Sequence, residues 1–318
     1  MSSIAVIGAG AWGTALAIAA LRPGQAVTLW ARDPVRAAEI AHTRQNPRLP
    51  GITVPETIHI TTTLPQADIV LLAVPVQHLR SVANHLPPSP ILVCCAKGVE
   101  LGTNRLPLEI LAECQPQAEF CVLTGPNFAH EIARGLPAAA LVAARSAEAG
   151  QAVIAALATH SFRLYASPDP LGAQLGGAAK NVIAIAAGAA IGAGLGENAR
   201  AALVTRGLAE ISRLIEAEGG DPATAAGLSG LGDLLLTCTG PGSRNFAFGH
   251  RLGQGHSAAE AQGEGVVEGA GTAPALLARA QSLGVALPIC QAVADLVTGR
   301  IGLQAAIAAL LARPAGRE

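Results

Sequence analysis

One lysine stands inside an otherwise uncharged run, LGAQLGGAAKNVIAIAAGAA, which begins at Leu171. Lys180 is the only charge between Asp169 and Glu197. The chain has 21 basic residues, and only Lys97 and Lys180 are lysines. Burying an unpaired ammonium is costly. Desolvation lowers a lysine's pKa and makes it a usable proton donor and acceptor. An arginine keeps its charge and cannot serve in this way. Lys180 therefore reads as a proton-transfer group, the plain alternative being a lysine that snorkels from a helix surface. Lys97 ends the apolar run ILVCCA. Ligands of open α/β sheets lie outside the carboxyl ends of the strands, so Lys97 is aimed at a ligand crevice.

Three further stretches suit phosphate chemistry. Gly8-Ala9-Gly10-Ala11-Trp12-Gly13 follows an apolar run and opens a helical one. Such a loop turns tightly, lets the backbone approach a pyrophosphate and rests it on a helix N-terminus. After the second strand come Arg32 and Asp33. An arginine there accommodates the 2′-phosphate of NADPH, whereas an acid binds the ribose 2′-hydroxyl of NADH. The order favours NADPH and leaves NADH open, because Asp33-Pro34 is also a natural helix cap. In Ser243-Arg244-Asn245, Ser243 reads as an N-cap and Arg244 as a phosphate fork beside free backbone N–H groups. Gly125-Pro126-Asn127-Phe128-Ala129 closes another strand as Lys97 does, and Asp233 opens an apolar helical segment, where an N-cap is its simplest role.

These groups need a scaffold, and the pattern supplies one. Strands are expected at 4–8, 26–30, 58–64, 67–75, 91–98, 120–126, 138–144 and 162–167. Helices are expected at 11–21, 76–86, 105–114 and 147–159, and a Pro-rich loop from Ala31 through NPRLPG. Continuous apolar strands separated by helices mean a mostly parallel sheet covered on both faces. Asp169-Pro170 signals a helix start, and only helical patterns follow it. The fold class is α/β: a Rossmann-type dinucleotide-binding domain over 1–167, then an all-α substrate domain over 168–318.

Composition narrows the function classes. The chain is 318 residues long, 51% hydrophobic and 14% charged, with a formal net charge of −1. This charge gives no electrostatic case for nucleic acid or an anionic membrane. The six cysteines lack CxxC or zinc-like spacing, which points to free buried thiols in a reducing cytoplasm and no metal. MSSIAVIGAGAWG has no basic leader region, so no signal peptide is expected. The run 170–196 is long enough to span a bilayer, but its Ala and Gly content with Gln174, Lys180 and Asn181 favours a buried core helix.

Eight blocks occur in order: GAGAWGTALA, CAKGVE, TGPNFAHEIA, GGAAKNVIAIAAG, ENARAALVTRGLAE, GLSGLGDLLLTCT, SRNFAFGHRLGQG and VVEGAGTA. Together the chain resembles the bacterial-type NAD(P)-dependent glycerol-3-phosphate dehydrogenases over nearly its whole length. The resemblance implies reduction of dihydroxyacetone phosphate to sn-glycerol 3-phosphate, a cytoplasmic enzyme and a homodimer. It implies that Trp12, Arg32, Ala129, Val266 and Glu268 meet the cofactor, with Arg244 serving both ligands. It places Gly125, Asn127, Asp233, Ser243, Arg244 and Asn245 at the substrate, lets Lys97 touch both ligands and makes Lys180 the general acid/base. Many members carry serine where Ala11 and Asn127 stand, and an aliphatic residue in place of Ala179. In the mechanism so implied, Lys180 protonates the carbonyl oxygen, Asp233 sets its protonation, and Lys97 and Asn181 hold the carbonyl and hydroxyl groups. Two other readings stay open. One is a β-hydroxyacid dehydrogenase, which would carry Asn where Ala184 stands; the other is a non-catalytic nucleotide sensor.

Overall fold

The computed structural model describes residues 2–263 and 265–312. The last six residues of the second expected domain lie outside these. The chain divides into two compact units, Met1–Lys97 with Leu106–Ala173, and Gly98–Arg105 with Gln174–Glu318.

The first unit is built on one eight-stranded sheet. Its strands are β1 (Ser3–Ile7), β2 (Ala26–Trp30), β3 (His59–Thr61), β4 (Ile69–Leu72), β5 (Ile91–Cys94), β6 (Glu119–Thr124), β7 (Ala138–Ala144) and β8 (Phe162–Ser167). Their order is β3-β2-β1-β4-β5-β6-β7-β8. Every pair is parallel except β6 with β7. The first six strands have the order of dinucleotide-binding sheets, with the switch point beside β1. Alternate residues of β1 serve two cores: Ile4 and Val6 pack on one face, Ala5 and Ile7 on the other. A strand buried on both faces has no polar side, which is why these strands read as continuous apolar runs.

The helices of this unit are α1 (Ala11–Leu21), α2 (Pro34–Thr43), α3 (Val76–Ala83), α4 (Pro107–Cys114), α5 (Ala129–Arg134) and α6 (Ala147–Leu157). Helix α2 corrects the loop expected after β2. Asp33 caps it by accepting from the Val35 N–H at 3.0 Å, and Pro34 occupies its first turn. Only Ala37 and Ile40 of α2 are buried, so its apolar stripe is too thin to override the prolines on either side. The six-residue α5 was likewise not expected; Gly135, at φ +75°, ends it.

The second unit is helical. Its axis is α7 (Pro170–Gly192), whose first turn counts with the first unit; the Gly172 N–H meets the Asp169 carboxylate at 2.8 Å. There follow α8 (Gly196–Ala217), α9 (Asp233–Cys238), α10 (Arg244–Gly253), α11 (Ala258–Ala261), α12 (Glu268–Ser282), α13 (Pro288–Val297) and α14 (Leu303–Leu311). No strand occurs after β8 among the described residues. Helix α7 is long and apolar enough to cross a membrane, but 83% of its apolar window is buried within the fold.

The Ala/Gly content of α7 has a packing cause. A Cβ on Gly188 would lie 2.1 Å from the Phe246 carbonyl oxygen, and one on Gly192 would lie 2.0 Å from that of His250. In return, a Cβ on Gly249 of α10 would lie 2.1 Å from the Ile185 oxygen. The two backbones touch along a seam of glycines four residues apart, Gly188 and Gly192 on α7 and Gly249 and Gly253 on α10. Gly188→Ala is expected to cost about 1–3 kcal/mol or more by overpacking. Gly240, where an added methyl meets open space, should tolerate alanine within about 0.5 kcal/mol. Thermal melts of the two variants check this.

Candidate active site

The glycine loop lies between β1 and α1. Gly8 has φ +117°, and a Cβ there would lie 2.9 Å from the Ala73 carbonyl oxygen. A Cβ on Gly13 would lie 1.8 Å from the Gly8 oxygen, so only glycine lets α1 sit this close to β1. Gly10, the N-cap of α1, is different: a Cβ there meets nothing within 4 Å. Two glycines serve packing, and the middle one leaves open space at a helix N-terminus. These residues fit a pyrophosphate group. Ala11 and Trp12 begin α1, both half-buried against the core. Past β2, Arg32 is exposed while Asp33 is engaged as the α2 cap.

At the ends of β5 and β6 a second polar group gathers. The Lys97 ammonium donates to the Gly125 carbonyl oxygen at 3.4 Å. Gly125 has φ +146°, and a Cβ would lie 3.0 Å from Ala140 Cα. Both amide atoms of Asn127 and the Thr124 hydroxyl are buried without a hydrogen-bond partner. Buried polar groups are normally satisfied, so an orphaned set beside a lysine fits a polar ligand. Ala129 opens α5 just beyond. Thr124 is a residue that sequence reasoning missed, since a threonine ending an apolar strand carries no signal of its own.

The second unit explains Lys180. The residue lies on α7, 6% exposed, and donates to Asp233 Oδ1 at 2.9 Å and to Thr237 Oγ1 at 2.8 Å. Asp233 and Thr237 are 2% and 4% exposed. The Thr237 hydroxyl donates to the Asp233 carbonyl oxygen at 2.6 Å, so its lone pair is turned to the ammonium. A π-helical turn over Leu228–Gly232 precedes Asp233, and its carboxylate meets Lys180 rather than capping α9, contrary to the simplest role read for it. Thr237 also escaped the sequence reading. Its signal was present, since Asp233 and Thr237 are four apart and share a helix face.

Asn181 joins a neighbouring network. Its Oδ1 accepts from Asn245 Nδ2 at 2.8 Å, and its Nδ2 donates to Glu268 at 3.2 Å. Asn245 Oδ1 in turn accepts the Gly269 N–H at 2.9 Å, tying the start of α12 to α7 and α10. Ser243 caps α10 by accepting from the Phe246 N–H at 3.2 Å and is itself buried. Arg244 is exposed beside Gly265, and Val266 is 47% exposed. An exposed arginine at a capped helix start is an arrangement that suits an anion without net positive charge.

Burial pushes the Cys238 thiol, next to Asp233 and Lys180, up to about 12, so it stays protonated and inert as a nucleophile. All six cysteines are free. No cluster of three His, Cys, Asp or Glu that could hold a metal occurs among the described residues. An apolar cavity of about 1080 Å³ lies among α7, α8, α13 and α14. None of Lys180, Asn181, Asp233 or Asn245 lines it, so it is separate from the lysine cluster.

Comparison with known proteins decides the family. The model for the N-terminal part of NAD-dependent glycerol-3-phosphate dehydrogenase matches residues 3–150, and that for the C-terminal part matches 169–308. The chain belongs to the NAD-dependent glycerol-3-phosphate dehydrogenase family. It is 57% identical to the glycerol-3-phosphate dehydrogenase [NAD(P)+] of Acidiphilium cryptum, over 97% of this chain and 96% of that one. It is 53% identical to that of Gluconobacter oxydans, over 99% and 98%. The crystal structure of glycerol-3-phosphate dehydrogenase from Coxiella burnetii superposes with a TM-score of 0.93 at 36% identity, covering 98% of this chain and 99% of that one.

Within this family fold, the Lys180–Asp233 pair separates stability from chemistry. Removing one partner strands a buried charge, whereas replacing both by apolar groups does not. Asp233→Ala is expected to destabilise by about 3–5 kcal/mol. Lys180→Met with Asp233→Leu should regain most of that stability in urea melts and remain inactive.

Proposed function

We propose that the chain catalyses the reversible, NAD(P)H-dependent reduction of dihydroxyacetone phosphate to sn-glycerol 3-phosphate, the product supplying glycerophospholipid synthesis. The observation that carries this reading is the buried Lys180–Asp233–Thr237 cluster in a chain of this family. The reduction adds a hydride to the carbonyl carbon and a proton to its oxygen. A bound reduced nicotinamide supplies the hydride. Lys180 holds the proton at Nζ and delivers it to the oxygen as charge grows there. In the reverse direction Lys180 takes the proton from the hydroxyl. Asp233 stabilises the charged form of Lys180, and Thr237 aims it.

Other groups bind and orient. Arg244, the α10 N–H groups of Arg244 and Asn245, and the Ser243 hydroxyl hydrogen hold the phosphate. Ser243 can do this while it caps α10, because a hydroxyl accepts and donates at once. Binding energy from that remote group positions the reacting carbon. Lys97, Gly125 and Asn127 take the substrate's oxygens. Asn181 acts chiefly through Asn245 and Glu268, since its amide is turned to both. The dinucleotide is assigned to Gly8, Gly10, Ala11, Trp12, Gly13, Arg32, Lys97, Ala129, Arg244, Val266 and Glu268. NADPH is favoured over NADH, because Asp33 is engaged as a cap and Arg32 stands exposed. We place the enzyme in the cytoplasm, as a homodimer.

The deciding assay is oxidation of NADPH and of NADH by the purified protein with dihydroxyacetone phosphate, with unphosphorylated dihydroxyacetone as control. Fast turnover that needs the phosphate is expected, faster with NADPH. Cofactor binding without turnover would sink the substrate assignment and move attention to 3-hydroxy acids. Lys180→Arg keeps the charge but not the proton transfer, and should lose at least about 100-fold in kcat. Light scattering should return twice the chain mass; a monomer that turns over normally would overturn the dimer.

A further inference from the structure

The eight residues after Lys97 belong to the second unit, although the residues on either side of them belong to the first. This segment, Gly98–Arg105, closes on itself. The Glu100 N–H meets the Arg105 carbonyl oxygen at 2.9 Å, and the Asn104 N–H meets that of Glu100 at 3.0 Å. The Thr103 hydroxyl donates to the Glu100 carboxylate at 2.5 Å. Three of its residues have left-handed backbone: Gly98 at φ +122°, Gly102 at +84° and Asn104 at +57°. Asn104 lacks glycine's freedom, and strain of that kind persists where the surroundings hold it.

Arg279 of α12 reaches this segment from outside it. Its Nη1 donates to the Asn104 carbonyl oxygen at 3.1 Å. Its other edge grips Glu218, the C-cap of α8, through Nε to Oε1 and through Nη2 to Oε2 at 2.7 Å. The two side chains are 14% and 9% exposed. A buried ion pair is a poor source of stability, since apolar residues of similar volume fill the same space as well. Its distinctive property is geometric: a planar fork, locked on one edge, presents its Nη1 N–H groups in a fixed direction. One of these bonds a closed segment whose first residue is joined to Lys97.

We propose that Arg279, locked by Glu218, is a positioning residue for Lys97. The inference rests on the assignment of Lys97 to the substrate made above. Arg279 touches neither reactant. It sets where the backbone leaves Lys97, and so where the ammonium can reach.

The test is a mutant cycle on the full-length enzyme, read as kcat/KM for dihydroxyacetone phosphate alongside the melting temperature. One arm combines Arg279→Met with Glu218→Leu, which removes the fork and keeps the interior filled. The second is Lys97→Met, and the third joins all three changes. Arg279→Lys is a parallel variant that keeps the charge without the fork, and it serves if the Met/Leu pair fails to fold. The expected result is a folded fork variant whose kcat/KM falls by about 10- to 100-fold. In the Lys97→Met background the same change should cost less than about twofold, because coupled residues are not additive. A folded fork variant with wild-type kcat/KM overturns the proposal. So does an equal loss in both backgrounds, which would leave the Lys97 assignment standing. If Lys97→Met alone keeps wild-type kcat/KM, that assignment fails and takes the positioning role with it.

Discussion

An ammonium held out of water is the constraint on which the second unit is built. Lys180 is tolerated on a buried helix because Asp233 and Thr237 come to it from α9. A π-helical turn and a run of glycines bring them there. A Cβ on Gly176, one turn before Lys180, would lie 3.0 Å from the Ser229 carbonyl oxygen, so α7 and the turn before Asp233 meet backbone to backbone. The apolar face, the glycines and the single charge are one arrangement seen three ways. A low-dielectric surround gives each hydrogen bond to the ammonium more weight and makes each missing one more costly.

The two units each present a helix N-terminus suited to an anion in a chain with no surplus of positive charge. In the first, a glycine loop opens at the N-terminus of α1; in the second, Ser243 caps α10 and Arg244 stands beside it. Both rely on the unsatisfied N–H groups that every helix start carries. A formal net charge of −1 is therefore no obstacle to a pyrophosphate-bearing cofactor and a phosphorylated substrate.

Much of the architecture was legible in the residues, for reasons that differ by element. Strands β2, β7 and β8 and helix α1 fall at their expected bounds, because composition and breakers agreed there. Helix α2 was lost to its own proline, which starts the helix rather than ending the order. The antiparallel β6–β7 pair left no trace, since pairing direction does not alter a strand that is apolar throughout. In the site, Lys180 announced itself by scarcity and Ser243 by its capping position. Thr237 needed the observation that it shares a face with Asp233. The Asn181–Glu268 contact spans 87 residues and was beyond any local pattern.

The glycine seam between α7 and α10 holds the two helices in one register. Backbone against backbone, with no side chains between, leaves nothing that can bend, swap rotamer or interdigitate differently. A slide of one helix along the other brings a Cβ onto a carbonyl; even a whole turn would set Ala184 where Gly188 now faces the Phe246 oxygen. Asn181 and Asn245 lie on these same two helices, so their 2.8 Å hydrogen bond forms in the register that the glycines fix. The fold thereby sets the spacing between the helix that carries Lys180 and the helix that carries Arg244 by backbone contact rather than by fine adjustment of side chains.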